Sequence, residues 1–391
     1  MARGMPMKGR KAGLPSAMSA ALCAFLIATA TMLLAGCGSS GRGGGDEGGK
    51  NASGHGQDRS VLGARDKSHD GNGVLYVGIA VHLEGWKGEA EQEQKFRDHA
   101  ALLREYAAMF ERHGARLTLE AGPEFVRACR RWGDDVLLEL QDRGHGIGIH
   151  ADLGGNGRMT QDDLVGGLRS QVQSAKSLGC EIRSASGISS ELDWVKAAEE
   201  AGLAFVDGVV EYALKSIPPK DLPEEYRWVS QADQGPSELH GPAPYDFEDR
   251  IYPWKVDSAR SWLWEDPDGK MVILDSDGAS TLPNLAEEAE DAAISGGQSG
   301  GKGKAGGYGG NVKGSFDRSD VEEFMNRVRK AQTYTSSDRA TVFYVTWSLG
   351  QALDPGLLEE LLVSMDALRE TGRVQWKTLP EAYDAYVRAG K

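Results

Sequence analysis

The chain of 391 residues predicts an α/β domain built on a parallel sheet, open or closed into a barrel. Two observations carry this expectation. Short apolar runs that read as strands alternate with amphipathic stretches that read as helices, at short spacing. Two of those strands end in a His-x-carboxylate triplet, His82-Leu83-Glu84 and His150-Ala151-Asp152. The C-terminal ends of parallel strands are where such sheets gather their functional groups.

The first strand is Val74-Leu75-Tyr76-Val77-Gly78-Ile79-Ala80-Val81, nearly continuous in apolar residues as a strand buried on both faces requires. Residues 91–113 follow as a long amphipathic helix, with Ala101, Leu102, Tyr106, Met109 and Phe110 at helical spacing and Gly114 as its stop. Residues 116–120 form the second strand, and 123–129 and 135–143 two helices. Ile147, Gly148 and Ile149 make a third strand that delivers His150 and Asp152. A helix over 164–178, a strand over 180–185, a helix over 192–201 and a strand over 204–207 continue the alternation. Residues 218–267 are irregular and rich in Pro, Trp, Tyr and acidic groups. Trp228, Trp254, Trp262 and Trp264 there suit either a sugar-stacking wall or the core of a loop-rich cap. A strand over 271–275, a helix over 319–331, a strand over 340–346, a helix over 355–371, the short strand Val374-Gln375-Trp376 and a helix from near Pro380 complete the domain. Between them, residues 294–314 are Gly-rich and of low complexity and read as a disordered loop.

Ahead of the domain, Arg3, Lys8, Arg10 and Lys11 precede an apolar run over 17–34 that closes in Leu34-Ala35-Gly36-Cys37. This is the layout of an export signal. It resembles the bacterial lipoprotein signal, which implies a signal peptide over 1–36, lipidation of Cys37, and a domain held outside the cytoplasm on the bacterial cell membrane. A plain membrane anchor is the competing reading, since the run is nearly long enough to span, but the cysteine has no role in one. Residues 37–73 are rich in Gly, Ser, Asp and Lys and read as a flexible tether. The net charge of −14 argues against sequence-independent nucleic-acid binding. Of four cysteines, Cys129 and Cys180 fall in the domain, as a disulfide or as two separate buried thiols; no zinc-type cysteine pattern exists.

Alternation along a strand places residues i and i+2 on one face, so His82 pairs with Glu84 and His150 with Asp152. Two such pairs at strand ends supply ligands for a divalent metal, and Zn²⁺ with three protein ligands and a water is the usual hydrolytic arrangement. The expected ligands are Glu84, His150 and Asp152, with His82 as a further ligand or as acid/base; a satisfied core histidine is the other reading of His82. His145 precedes its strand and is expected to orient it. His99 and His113 are expected at the surface, His55 and His69 belong to the tether, and His240 is free to approach the site. Arg183, Asp207, Asp275 and Trp347 also fall at strand ends. Arg183 is expected to orient a carboxylate, and Trp86 and Trp347 to shape a sugar site. No phosphate loop, dinucleotide fingerprint or nucleophile elbow is present.

At these residues the chain from about Val74 onward resembles the polysaccharide deacetylases, the NodB-like carbohydrate esterases. Gly144-His145-Gly146-Ile147-Gly148-Ile149-His150 is similar to that family's Gly-His-Glu-Ile-Gly-x-His segment, whose last His is a metal ligand. Val81-His82-Leu83-Glu84-Gly85 lies where the family has Asp-Asp-Gly, and Arg183-Ser184-Ala185-Ser186-Gly187 resembles a worn Arg-x-Pro-x-Gly. Residues 342–347 and 374–381 resemble the family's last strands. The resemblance implies a single distorted (β/α) barrel over 74–391, a divalent metal, and hydrolysis of acetyl groups on a polysaccharide or oligosaccharide. The departures are specific. The family's base aligns with Leu83, its second ligand His with Gly154, and its late His falls near Trp347. A metal-dependent deacetylase-like hydrolase is the leading expectation. Its rivals are a non-catalytic glycan- or metal-binding lipoprotein, and a glycoside hydrolase using Glu84 with Asp275 or Asp207.

Overall fold

The apolar run at the start of the domain folds as the strand Leu75–Leu83 (β1), and the sheet is assembled on both of its edges. The structure, a computed structural model, describes residues 69–84, 88–154, 158–231, 235, 238–294, 315–351 and 353–390. The remaining strands are β2 (Thr118–Ala121), β3 (Gly146–His150), β4 (Ser184–Ser186), β5 (Phe205–Asp207), β6 (Trp254–Val256), β7 (Met271–Leu274), β8 (Thr341–Ser348) and β9 (Val374–Trp376). Their order is β6-β7-β5-β4-β3-β2-β1-β8, with β9 on β1. All neighbours are parallel except β6, which runs against β7.

The two ends of the parallel series meet through irregular chain. Tyr344 N–H on β8 donates to Ser276 Oγ at 3.2 Å, Thr346 N–H to Ser280 O at 3.0 Å, and Val342 N–H to Ile251 O at 2.8 Å. Ser276 takes φ +50 to make this turn, a conformation that few residues other than glycine adopt. The segment after β7 thus fills the seam to β8, and the architecture is the distorted (β/α) barrel expected.

Leu75, Val77, Ile79, Ala80, Val81 and Leu83 of β1 are all buried, as a strand covered on both faces should be. One edge of β1 pairs with β8 from Leu75 to His82. The other is shared: β9 takes Leu75–Val77 and β2 takes Ala80–Leu83. Under the N-terminal ends of the strands lies the C-terminal helix Leu379–Ala389. Leu379 N–H donates to Thr118 Oγ1 at 2.8 Å. A Cβ on Gly146 would meet Pro380 at 2.9 Å, so only glycine lets the strand approach this closely.

The tryptophans of the irregular region are core. Trp254 and Trp262 are fully buried, the Trp254 indole N–H donates to Trp262 O at 2.9 Å, and Trp228 and Trp264 pack partly buried against the same core. This region also holds β6, although its composition marks it as irregular. The helix Leu285–Ile294 was likewise not anticipated. Cys129 and Cys180 are separate buried free thiols. His113 is half-buried and paired, with Asp366 at 2.5 Å and Glu359 at 3.0 Å, and His99 pairs with the buried Glu89. Residues 70–73, assigned to the tether by composition, are tied to the domain, Gly71 N–H donating to Thr335 O at 2.9 Å and Ser337 Oγ to Asp70 at 2.9 Å. No helix among the described residues is long and apolar enough to cross a membrane. Residues 1–68, with Cys37, and the Gly-rich 295–314 lie outside the described residues.

Candidate metal centre

Strand register brings the chemistry together at the C-terminal mouth of the barrel. His82 stands opposite Glu120 on one side and Ser348 on the other, and His150 opposite Ser186. Beyond the last paired residue of β1, Glu84 turns to the same side as His82, while Leu83 between them is buried in the core. His82, Glu84 and His150 each offer one ligand atom within 4.8 Å of the others. The two imidazoles stack with centroids 4.3 Å apart and planes at 29°.

Carboxylates hold this group from both sides. His82 Nδ1 lies 3.6 Å from Glu84 Oε1, and His82 Nε2 lies 3.0 Å from Glu120 Oε2. The second contact is off the line of the ring N–H, so it is an ion pair more than a hydrogen bond. Ser348 Oγ donates to Glu84 at 3.0 Å. Ser186 Oγ lies 2.8 Å from His150 Nδ1 and 2.5 Å from Glu120 Oε2.

Burial alone would lower the His82 pKa, but Glu120 and Glu84 reverse this and hold it at about 9. The adjacent His82, ahead of the opposing effect of burial, brings Glu84 down to about 2. Burial, then the positive charge on His82, lowers His150 to about 4, so His150 is neutral at pH 7. Behind Glu120, Asp207 is buried with neither carboxyl oxygen in a hydrogen bond to protein. Burial and the Glu120 charge raise Asp207 well above the carboxylate range.

A cleft of about 680 Å³ opens beside the group, lined by Glu84, His150, Asp152, Glu124, Arg127 and Gln171 among others. Two histidines and a carboxylate, of which Glu84 and His150 line the cleft, fit the donor set of Zn²⁺ with an open position.

The other expected site residues are placed differently. Asp152 lines the cleft but stands apart from the three grouped residues. β3 ends at His150 and Asp152 takes φ +48, so strand alternation no longer applies to it. Arg183 is at the opposite end of the barrel. Its strand begins only at Ser184, and the guanidinium binds Asp384 of the C-terminal helix at 2.7 and 3.2 Å and stacks on Tyr383. Trp347 is fully buried, edge-on to Tyr106 at 4.7 Å, and cannot touch a sugar. Trp86 lies outside the described residues. Gly154 has φ +149, and a Cβ there would sit 2.2 Å from Ser189 O, so the position can carry no ligand side chain. His145 braces its strand as expected, its Nδ1 accepting from Leu117 N–H and its Nε2 meeting Glu111, both at 3.0 Å. His240 is held by backbone bonds from Glu211 and Tyr212 to its neighbours, and its charge is felt at His150.

Glu120 is the residue the sequence reading missed. It lies near the C-terminal end of β2, as His82 and His150 do on their strands, and inward alternation from Thr118 was the available signal.

No family model and no curated protein matches the chain. Solved structures do. A Mycobacterium smegmatis protein assigned as a polysaccharide deacetylase aligns at 10% identity, covering 81% of this chain and 91% of its own, with a TM-score of 0.51. The Puue allantoinase aligns at 10% identity, covering 84% of this chain and 97% of its own, also with a TM-score of 0.51. At such identity the likeness is one of fold.

Proposed function

We propose that this chain is a metal-dependent hydrolase of the polysaccharide deacetylase type, removing acetyl groups from an extracellular or cell-surface glycan. The observation that carries the reading is the grouping of His82, Glu84 and His150 at the mouth of a deacetylase-like barrel, beside an open cleft. These three residues would hold the metal, and Zn²⁺ is the expected ion. When bound, it would supply Lewis-acid polarisation of the acyl carbonyl and a more acidic water.

The chain's own groups have separable tasks. Glu84 is ionised at neutral pH through its contact with His82 and supplies a hard oxygen donor. His150 is neutral there and offers a lone pair without first losing a proton. Asp152, on the cleft wall two residues beyond His150, is the candidate acceptor for a proton from the attacking water. Arg127 faces the same cleft and offers a donor to substrate hydroxyls or carbonyls. The Leu34-Ala35-Gly36-Cys37 sequence supports export and lipid anchoring through Cys37, so the substrate would be met outside the cytoplasm.

A non-catalytic glycan- or metal-binding protein is the second reading. It is favoured by the buried Leu83 and the side-chain-free Gly154 at positions where the deacetylase pattern has its base and a ligand. The glycosidase reading loses its acids: Asp207 and Asp275 are buried behind the site and do not line the cleft.

Metal analysis of the purified chain, followed by acetate release from acetylated chito- and xylo-oligosaccharides, tests the proposal. Metal with acetate release supports it. Metal and glycan binding without release establishes the second reading, and no metal at saturating Zn²⁺ refutes the first.

A further inference from the structure

A single carboxylate oxygen touches the supports of both histidines. Glu120 Oε2 lies 3.0 Å from His82 Nε2 and 2.5 Å from Ser186 Oγ, and Ser186 Oγ lies 2.8 Å from His150 Nδ1. We propose that Glu120 and Ser186 are positioning residues that set the tautomer of His150, turning its Nε2 toward the ligand position. The inference rests on the metal-centre reading above.

The argument is one of donors and acceptors. An ionised carboxylate only accepts, and a serine hydroxyl has one proton to give. Ser186 therefore gives its proton to Glu120. The hydroxyl can then only accept from His150, which must carry its proton on Nδ1. The lone pair of the neutral His150 ring is left on Nε2. His82 meets Glu120 through Nε2 and Glu84 through Nδ1 by ion pairing, which does not fix a tautomer. Histidine ligands are commonly held this way, the nitrogen away from the metal bonded to a carboxylate, a carbonyl or a water.

The fold is shaped to permit the arrangement. Glu120 pairs in register with His82 on β1 and with Gly148 on β3. A Cβ on Gly148 would lie 2.7 Å from Ser184 Oγ and 3.6 Å from Glu120 Cγ. The absent side chain leaves the space through which Glu120 reaches toward β4 and Ser186. Glu120 and Ser186 are both buried, so water cannot readily take over either contact.

The test reads the tautomer directly. In the full chain with ¹⁵N-labelled histidine, long-range ¹H–¹⁵N correlation at pH 7 should show His150 with its proton on Nδ1. Ser186→Ala should move the proton to Nε2 or give a mixture, and should weaken Zn²⁺ binding by about 10- to 100-fold in calorimetry. Ser186→Thr, which keeps the hydroxyl, should restore both. Glu120→Gln, which introduces a donor facing Ser186, should also disturb the His150 tautomer. A wild-type His150 protonated on Nε2 overturns the proposal without need of any variant. So does a Ser186→Ala protein with tautomer and Zn²⁺ affinity unchanged. A wild-type chain that shows the stated tautomer and binds no Zn²⁺ refutes the metal-centre reading and leaves the Ser186 positioning standing.

Discussion

Raising the pH of the metal-free protein should loosen its fold, with His82 as the largest contributor. His82 sits between Glu84 and Glu120, and its pKa rises from an ordinary 6.5 to about 9. Below pH 6.5 the ring is charged in both folded and unfolded chains, and the stabilisation is complete. Between 6.5 and 9 the unfolded chain gives up its proton while the folded one keeps it, so stability falls; above 9 the contribution is gone. The interval corresponds to about 2–3 kcal/mol, allowing for the solvent reach of Glu84. Glu84 and Glu120, brought from 4.5 to about 2, contribute with the opposite sign. Their share is present above pH 4.5 and lost as the pH falls through 2. It reports the same attraction seen from the other partner and is not added. Urea unfolding followed by tryptophan fluorescence, in chelator from pH 5 to 10, measures the alkaline limb. His113, also raised once its Asp366 and Glu359 partners overcome burial, adds a parallel limb that cancels when wild type is compared with His82→Gln. A limb of equal depth in both proteins would refute the reasoning. Saturating Zn²⁺ should reverse the wild-type limb, because ligation needs the neutral ring.

Other substitutions separate the site from its surroundings. Glu84→Ala should weaken Zn²⁺ binding by about 100-fold or more, whereas Asp152→Ala, outside the grouped residues, should change it by less than about threefold; calorimetry on both checks this. Arg183→Ala breaks a half-exposed pair with Asp384, costing up to about 1 kcal/mol in thermal unfolding and leaving Zn²⁺ affinity unchanged. Gly154→Ala forces a side chain onto a backbone at φ +149 and against Ser189 O. It should cost about 1–3 kcal/mol and lower the Tm by several degrees.

What could be read from the sequence was what period and position encode. The apolar β1, the amphipathic helices and the His82-Leu83-Glu84 alternation all came through, because each depends on neighbours one or two residues away. Asp152 was misjudged because alternation holds only while the strand continues, and a residue at φ +48 leaves no local signature. Arg183 was misjudged because its strand starts at Ser184. The strand starts four residues later than the expected Cys180, which turns a mouth residue into a bottom one, bound to a helix some two hundred positions away. Glu120 looked like an ordinary polar strand end. Only the register of β1 against β2 shows it facing His82. The tryptophans of the irregular region were ambiguous because composition cannot say whether an indole faces solvent or Trp194.

The shared edge of β1 has a consequence for how the chain comes into being. The strand that carries His82 and leads into Glu84 is the first of the barrel to be synthesised, and its partners β8 and β9 are the last. Only β2 is made early, and it covers no more than Ala80–Leu83. Contacts of such long range are slow to form, so β1 waits as an apolar strand with open edges until nearly the whole domain exists. A chain stopped before Val374 would lack both β9 and the helix beneath the barrel. It should collect as aggregate instead of a smaller folded domain. In this protein the metal-binding group can be among the last features to assemble, although its first residues are among the earliest made.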